Sequence, residues 1–222
     1  MPSPKKTTRK RRARPYAPYT HKVYRPYVQA IGQAVLAWNQ LHEQLAMLFC
    51  HAMGGGISNQ YLAVWHALTA DRAQRDILLA ALKTMPQLDY SQPHRRFWDD
   101  VGWLCIQTMK LEDDRNNTVH APIYGYSAGI GTGMVFPGTG LGHVRATKLA
   151  KETDLLRAYR RYRDIADILT GYAEDLDGAF SGTRKTWPDR PKLPKRMDPS
   201  AKKPRPPTPP KGQPHPPRSS PA

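Results

Sequence analysis

The chain has 222 residues, room for one domain with extensions or at most two small domains. Its formal charge of +16 lies wholly in the ends. Residues 1–25 carry nine Lys or Arg and no acid, residues 26–180 set 14 bases against 16 acids, and residues 181–222 carry 11 bases and two Asp. No run approaches the ~20 apolar residues of a membrane span, and no apolar signal region follows the basic start.

The run Lys5–Arg14 offers no residue able to anchor a core, so residues 1–22 are expected to form a disordered basic tail. A nuclear address or a transit peptide competes for the same run, although its prolines oppose an amphipathic targeting helix. From Tyr27 the apolar positions Tyr27, Ile31, Ala34, Trp38, Leu41, Leu45 and Leu48 fall on one helical stripe. Gly54-Gly55-Gly56 ends it. His42-Glu43-Gln44-Leu45-Ala46 approaches a zinc-protease helix but has alanine where the second histidine must stand, so no metal site is expected. Cys50 and Cys105 lie in apolar helical patterns with no C-x-x-C pair, which points to buried, reduced thiols and a cytoplasmic protein.

Ser58 can cap a second stretch carrying Tyr61, Leu62, Trp65 and Leu68, and Thr69-Ala70-Asp71 restarts a helix through Ile77, Leu78 and Leu82. The pattern leaves open whether residues 58–85 are one kinked helix or two. Ser91 and Pro93 open the next helix, whose stripe Phe97, Val101, Leu104, Thr108 and Leu111 steps next onto Arg115. Pro122 keeps Ala121 out of the helical region, so this helix is expected to end near His120. Residues 123–146 hold two short apolar pieces around glycines, which suggests a β-hairpin or flap; they lack the spacing of a phosphate loop. A last helix from about Lys151 repeats the stripe from Leu155 to Phe180. The expectation is an all-α bundle of four or five helices over residues 23–182, with the hairpin before the last helix. Residues 183–222 are rich in proline and base, and are expected to form a second disordered tail. Both tails suit RNA or another polyanion, through salt-sensitive counterion release.

Glu112-Asp113-Asp114-Arg115-Asn116-Asn117-Thr118-Val119-His120 carries the chemistry. Arginine, asparagine and histidine in R-N-x-x-x-H spacing supply a fixed cation, a hydrogen-bonding amide and a side chain that titrates near neutrality. Asn116 and His120 share a helical face, so the amide can orient the imidazole. Arg115 lies about 140° around the helix from His120, so one copy does not close a site on one phosphate, whereas two copies across a two-fold axis can. The acidic trio either raises the pKa of His120 or pairs with Arg115; in the second case the motif is only a salt-bridged helix end. Trp38, Trp65, Trp98 and Trp103 fit core or dimer contacts. Arg72 and Arg75, with Asp71 and Asp76, fit ion pairs within their helix. Arg157, Arg160, Arg161 and Arg163 form a basic ridge that Asp164 and Asp167 partly neutralise. Tyr124, Tyr126 and His143 are candidates to touch a base or phosphate.

On the motif, its place at a helix end and the hairpin after it, residues 25–180 resemble the HEPN superfamily, and more narrowly bacterial HEPN-like proteins. The resemblance implies a homodimeric, metal-independent endoribonuclease without cofactors, a toxin or defence effector, with an antitoxin or other protein as a further partner. It implies that His120 moves the proton of the ribose 2′-hydroxyl or of the leaving oxygen. Arg115 would hold the scissile phosphate, and Asn116 would orient His120 or contact substrate. Arg157, Arg160, Arg161 and His143 are the expected further substrate contacts. The competing reading is an inactive HEPN-like module that binds RNA or protein through its basic tails.

Overall fold

Pro26 sits in the first turn of helix α1 (Arg25–Ala52), where its missing N–H costs nothing and its fixed φ favours the helix. Gly54, at φ +79°, ends the helix in a conformation that other residues adopt only with strain. The computed structural model describes residues 22–54, 56–84, 92–127, 133–152 and 154–194. Within them the chain is mostly helical, with six α-helices and one two-stranded antiparallel sheet.

Residues 58–85, ambiguous in sequence, form two helices: α2 (Asn59–Ala67), capped by the Ser58 hydroxyl on the Gln60 N–H, and α3 (Asp71–Thr84). Leu68 is extended between them, and Gln74 seals the break by donating its amide N–H groups to the Trp65 and Leu68 carbonyls. Ser91 lies outside the described residues; α4 (Gln92–His120) takes Pro93 as its second residue and ends at His120, one residue before the predicted break. Strands β1 (Ile123–Ser127) and β2 (Gly133–Pro137) pair with Ile123 opposite Pro137, and the glycine-rich turn between them falls outside the described residues. After a short 3-10 turn comes α5 (Val144–Leu149), a helix unforeseen in sequence. The last helix, α6 (Leu155–Phe180), starts later than the Lys151 expected, because the Asp154 carboxylate caps the Arg157 N–H.

The predicted stripes are buried through their middle, while Tyr27, Ile31, Tyr61, Leu62 and Phe180 are only partly buried. Phe97, Val101, Leu104 and Thr108 of α4 are fully enclosed, as are Leu41 and Leu45 of α1 and Leu169 and Leu176 of α6. Helix α6 packs most extensively on α1 and then on α4, while α3 lies against both α1 and α4. Trp38 and Trp65 are core residues, whereas Trp98 is exposed and Trp103 meets Tyr172 edge-on at 5.5 Å. Ala121, Ala146, Leu149 and Tyr159 make a second, smaller cluster that holds α5 and the end of α4 together.

The expected tail boundary at 183 falls inside a packed segment. Residues 187–193 lie back on the bundle, with Trp187 and Leu193 against the main core. Trp187 Nε1 donates to Asp100 Oδ2 at 2.8 Å and Arg190 Nε to Asp100 Oδ1 at 2.6 Å, so one buried carboxylate anchors both. The reason is compositional: Trp187 and Leu193 are anchors, and proline spacing does not prevent an extended strap from docking. Residues 1–21 and 195–222 lie outside the described residues.

Candidate functional site

The stripe of α4 continues onto Arg115, which is partly buried against the bundle, a placement the sequence left open. The guanidinium carbon lies 5.8 Å from the ring centroid of buried Trp38 of α1, and one terminal nitrogen donates to Asn116 Oδ1 at 3.0 Å. Its Nε is buried with no hydrogen-bond partner among the described residues. The acidic trio does not pair with it. Glu112 binds Arg75 at 2.5 Å, Asp113 lies 3.9 Å from Lys148, and Asp114 lies 3.5 Å from Arg161. No carboxylate of the described residues forms an ion pair with Arg115, so the salt-bridged helix end weighed in sequence is not what forms. A partly buried cation without a counter-charge is costly to fold, and an arriving anion lowers that cost.

Arg75 explains where Glu112 goes. Arg72 makes the expected pair within α3, with Asp76 at 4.0 Å, but Arg75 turns inward on the stripe of Leu78 and Leu82 and is only 1% exposed. Its NH2 donates to Glu112, its NH1 approaches His42 Nε2 at 3.3 Å, and it lies 5.9 Å from the Trp38 centroid. Two cations therefore flank one indole, whose own N–H donates to Asp71 Oδ2 at 2.8 Å. His42 Nδ1 sits 3.0 Å from Gln74 Oε1. Burial lowers the His42 pKa, with Arg75 and Arg115 adding to that direction, against Asp71 and the Gln74 hydrogen bond, so the imidazole is held neutral. The buried Tyr162 hydroxyl completes the cluster without a hydrogen-bond partner among the described residues, and burial raises its pKa. Arg75, His42 and Glu112 were missed as a cluster. The signal for Arg75 was its place three residues before Leu78 and seven before Leu82, the spacing of a buried position.

Asn116 and His120 do not interact as expected. The Asn116 amide oxygen is taken by Arg115, and its backbone carbonyl accepts from Arg145 of α5 at 3.1 Å. His120 is exposed at the helix end and makes no hydrogen bond or ion pair among the described residues. Arg145, which no pattern flagged, satisfies a carbonyl of the last helical turns and ties α5 to the motif.

The further substrate candidates separate. His143 is occupied as the N-cap of α5, its Nδ1 accepting from Ala146 N at 3.4 Å. Arg161 is held by Asp114 and Glu152, at 3.5 and 3.8 Å. Arg163 is held by Asp164 and Asp167, as the ridge reading anticipated. Arg157 and Arg160 remain exposed with unpaired side chains among the described residues. There, no three His, Cys, Asp or Glu side chains cluster as a metal site would require. Among the described residues no helix is long and apolar enough to cross a membrane. No family model matches the chain, nor does any curated protein or solved structure.

Proposed function

We propose that the chain is a metal-independent endoribonuclease of HEPN type that acts as a homodimer, with Arg115 and His120 as its working pair. The observation that carries this reading is the Arg115 guanidinium, set at a helix end without a carboxylate while three acids beside it are engaged elsewhere. A phosphate supplies the missing counter-charge. Arg115, charged at any working pH, binds it and stabilises the charge that grows as the phosphorane forms; a preorganised donor of this kind contributes about 10²–10³ in rate. His120 takes the 2′-hydroxyl proton or returns one to the leaving oxygen, worth about 10²–10⁴.

The two side chains leave α4 about 140° apart, so the reading calls for a second copy. Helix α4 has a surface for one. Trp98, Ile106 and Met109 are exposed, and steps of four, four and three from Met109 lead through Asp113 and Asn117 to His120 on the same outward face. Packing of two such ridges would bring His120 to the edge of the partner.

A second reading, an RNA-binding module without catalysis, is favoured by Asn116: it is turned to Arg115 and leaves the His120 imidazole unoriented. Cleavage of cellular RNA in EDTA separates the two. The nuclease reading expects 2′,3′-cyclic phosphate ends, with cleavage lost in both Arg115→Ala and His120→Ala. Equal or absent cleavage in all three proteins overturns it, and RNA binding that persists then selects the module.

A further inference from the structure

The hairpin carries two aromatic rings in the open. Tyr124 and Phe136 face each other across the β1–β2 ladder, 48% and 46% exposed, with centroids 6.5 Å apart. Exposed aromatics on a two-stranded sheet are costly unless something covers them. Tyr124 also packs against the backbone at Gly138. Its ring lies across Gly138 so closely that a Cβ there would fall 2.2 Å from the ring edge, so only glycine admits this ring position. Gly138 N in turn donates to the Pro122 carbonyl at 2.7 Å, fixing the end of β2 to the residue before β1.

The sequence around this pair is rich in base, with Lys148 shared with Asp113 at 3.9 Å. From Arg115 through Lys151 there is no Asp or Glu, while Arg115, Arg145, Lys148 and Lys151 are basic and His120 and His143 lie between. Arg145 on the Asn116 carbonyl ties α5 to the end of α4, and the Gly125 N–H on the Tyr24 hydroxyl ties the hairpin to the start of α1. Exposed π-faces inside a stretch of sequence with bases and no acids match how unpaired nucleic acid is held: the base stacks, and its phosphate is met by cations. A polar protein surface has no use for two bare rings, and an apolar one gains nothing from the cations.

We propose that the Tyr124–Phe136 face is a stacking platform for an unpaired base of a single-stranded nucleic acid, whose adjoining phosphate lies at the Arg115 end of α4. The inference rests on the RNA reading for that phosphate, and not on cleavage.

The test uses the full chain with 2-aminopurine strands: 2′-O-methyl RNA, which has no 2′-hydroxyl to attack, DNA of the same sequence, and the duplex of each. High salt suppresses the sequence-blind contribution of the basic tails. The wild type should bind the single strands and quench the 2-aminopurine, and leave the duplexes bright. Tyr124→Leu should weaken binding about 5- to 150-fold and abolish quenching, the range expected for losing one stacked base. Tyr124→Phe should restore both. Phe136→Leu, which removes a ring without touching Gly138, should weaken binding independently, with thermal melting confirming that each variant is folded. A preference for RNA over DNA would assign the site to RNA; equal binding would assign it to single strands at large. Leucine variants that bind and quench like the wild type overturn the platform. So does a wild type that binds no single strand at high salt, or leucine variants that only dissociate a dimer. The 2′-O-methyl strand cannot be cleaved, so quenching reads stacking alone, and failure of the nuclease reading and failure of this one give different results.

Discussion

Glu112→Gln and Arg75→Met should destabilise the protein unequally, although they break the same ion pair. Arg75 is 1% exposed, and its charge is balanced by one carboxylate at 2.5 Å, while the Glu112 side chain is 29% exposed. Removing the carboxylate strands a buried guanidinium whose Nε already lacks a partner. Breaking a buried pair in this way costs about 3–5 kcal/mol, and water access at Glu112 places this case near 3. Removing the arginine instead leaves a carboxylate that can turn to solvent, and methionine fills much of the vacated volume, so about 1 kcal/mol is expected. Urea denaturation measures both: with a slope near ~2 kcal/mol/M, Glu112→Gln should lower the midpoint by about 1.5 M and Arg75→Met by about 0.5 M. The double variant should cost less than the sum, since it leaves no charge behind. Equal losses, or a larger loss for Arg75→Met, would refute the claim that the buried cation is the costly member. Arg75→Met carries a functional consequence as well. It frees Glu112, one turn before Arg115 on the same helix, to neutralise that cation, so RNA cleavage or binding should fall even though no substrate contact has changed.

Three other outcomes follow from the same geometry. His42 has its pKa lowered in the fold by burial, so the unfolded chain binds the extra proton; stability is present in full above the unfolded value of about 6.5 and falls below it, by at most about 1.4 kcal/mol per pH unit. Denaturation midpoints between pH 7 and 5 should show this slope, and His42→Gln should flatten it. Asp100→Ala removes the acceptor of both Trp187 and Arg190, and trypsin should cut within residues 184–194 about 30-fold faster if the strap loses about 2 kcal/mol of attachment; an unchanged rate would place the anchor elsewhere. Cys50 and Cys105 are both buried and free, and burial pushes the Cys105 thiol up to about 12, so neither should react with a thiol reagent until the protein unfolds.

The helical elements were legible because burial imposes a period. Phe97, Val101, Leu104 and Thr108 face the core at the spacing the stripe required, and the same step leaves Arg115 partly buried. The break at Leu68 was not legible, since it depends on Gln74 reaching back to two carbonyls from the next helix. Helix α5 was hidden because six residues are too few to display a period. At the candidate site, local spacing placed Asn116 beside His120 and the acidic trio beside Arg115; Asn116 instead accepts from its own neighbour Arg115, and the trio is drawn to other helices. Side chains choose among partners from every element within reach, and α3, α5 and α6 offered Arg75, Lys148 and Arg161. The strap was misread because composition reports average character, while docking requires only an anchor such as Trp187 and a buried acceptor such as Asp100.

The charge state of the α4 end is therefore not a local property of its sequence. Of the three ion pairs that draw acids away from Arg115, those of Asp113 and Asp114 span 3.9 and 3.5 Å and involve partly exposed groups, so each contributes little by itself. The pair of Glu112 with Arg75 is short, and its arginine cannot leave without unpacking α3. The potential at Arg115 thus depends on α3 remaining docked, which in turn depends on the sealed break at Leu68 and on the Trp38, His42 and Gln74 contacts beneath it. A buried arginine on a neighbouring helix keeps an acid away from Arg115, and on the proposed nuclease reading this arrangement would place function under the control of packing. On that reading it would also separate two kinds of RNA contact. Attraction by the basic ends fades with salt through counterion release, whereas a phosphate held at a partly buried guanidinium is screened far less. Affinity that survives high salt and disappears in Arg115→Ala would report that inner contact alone.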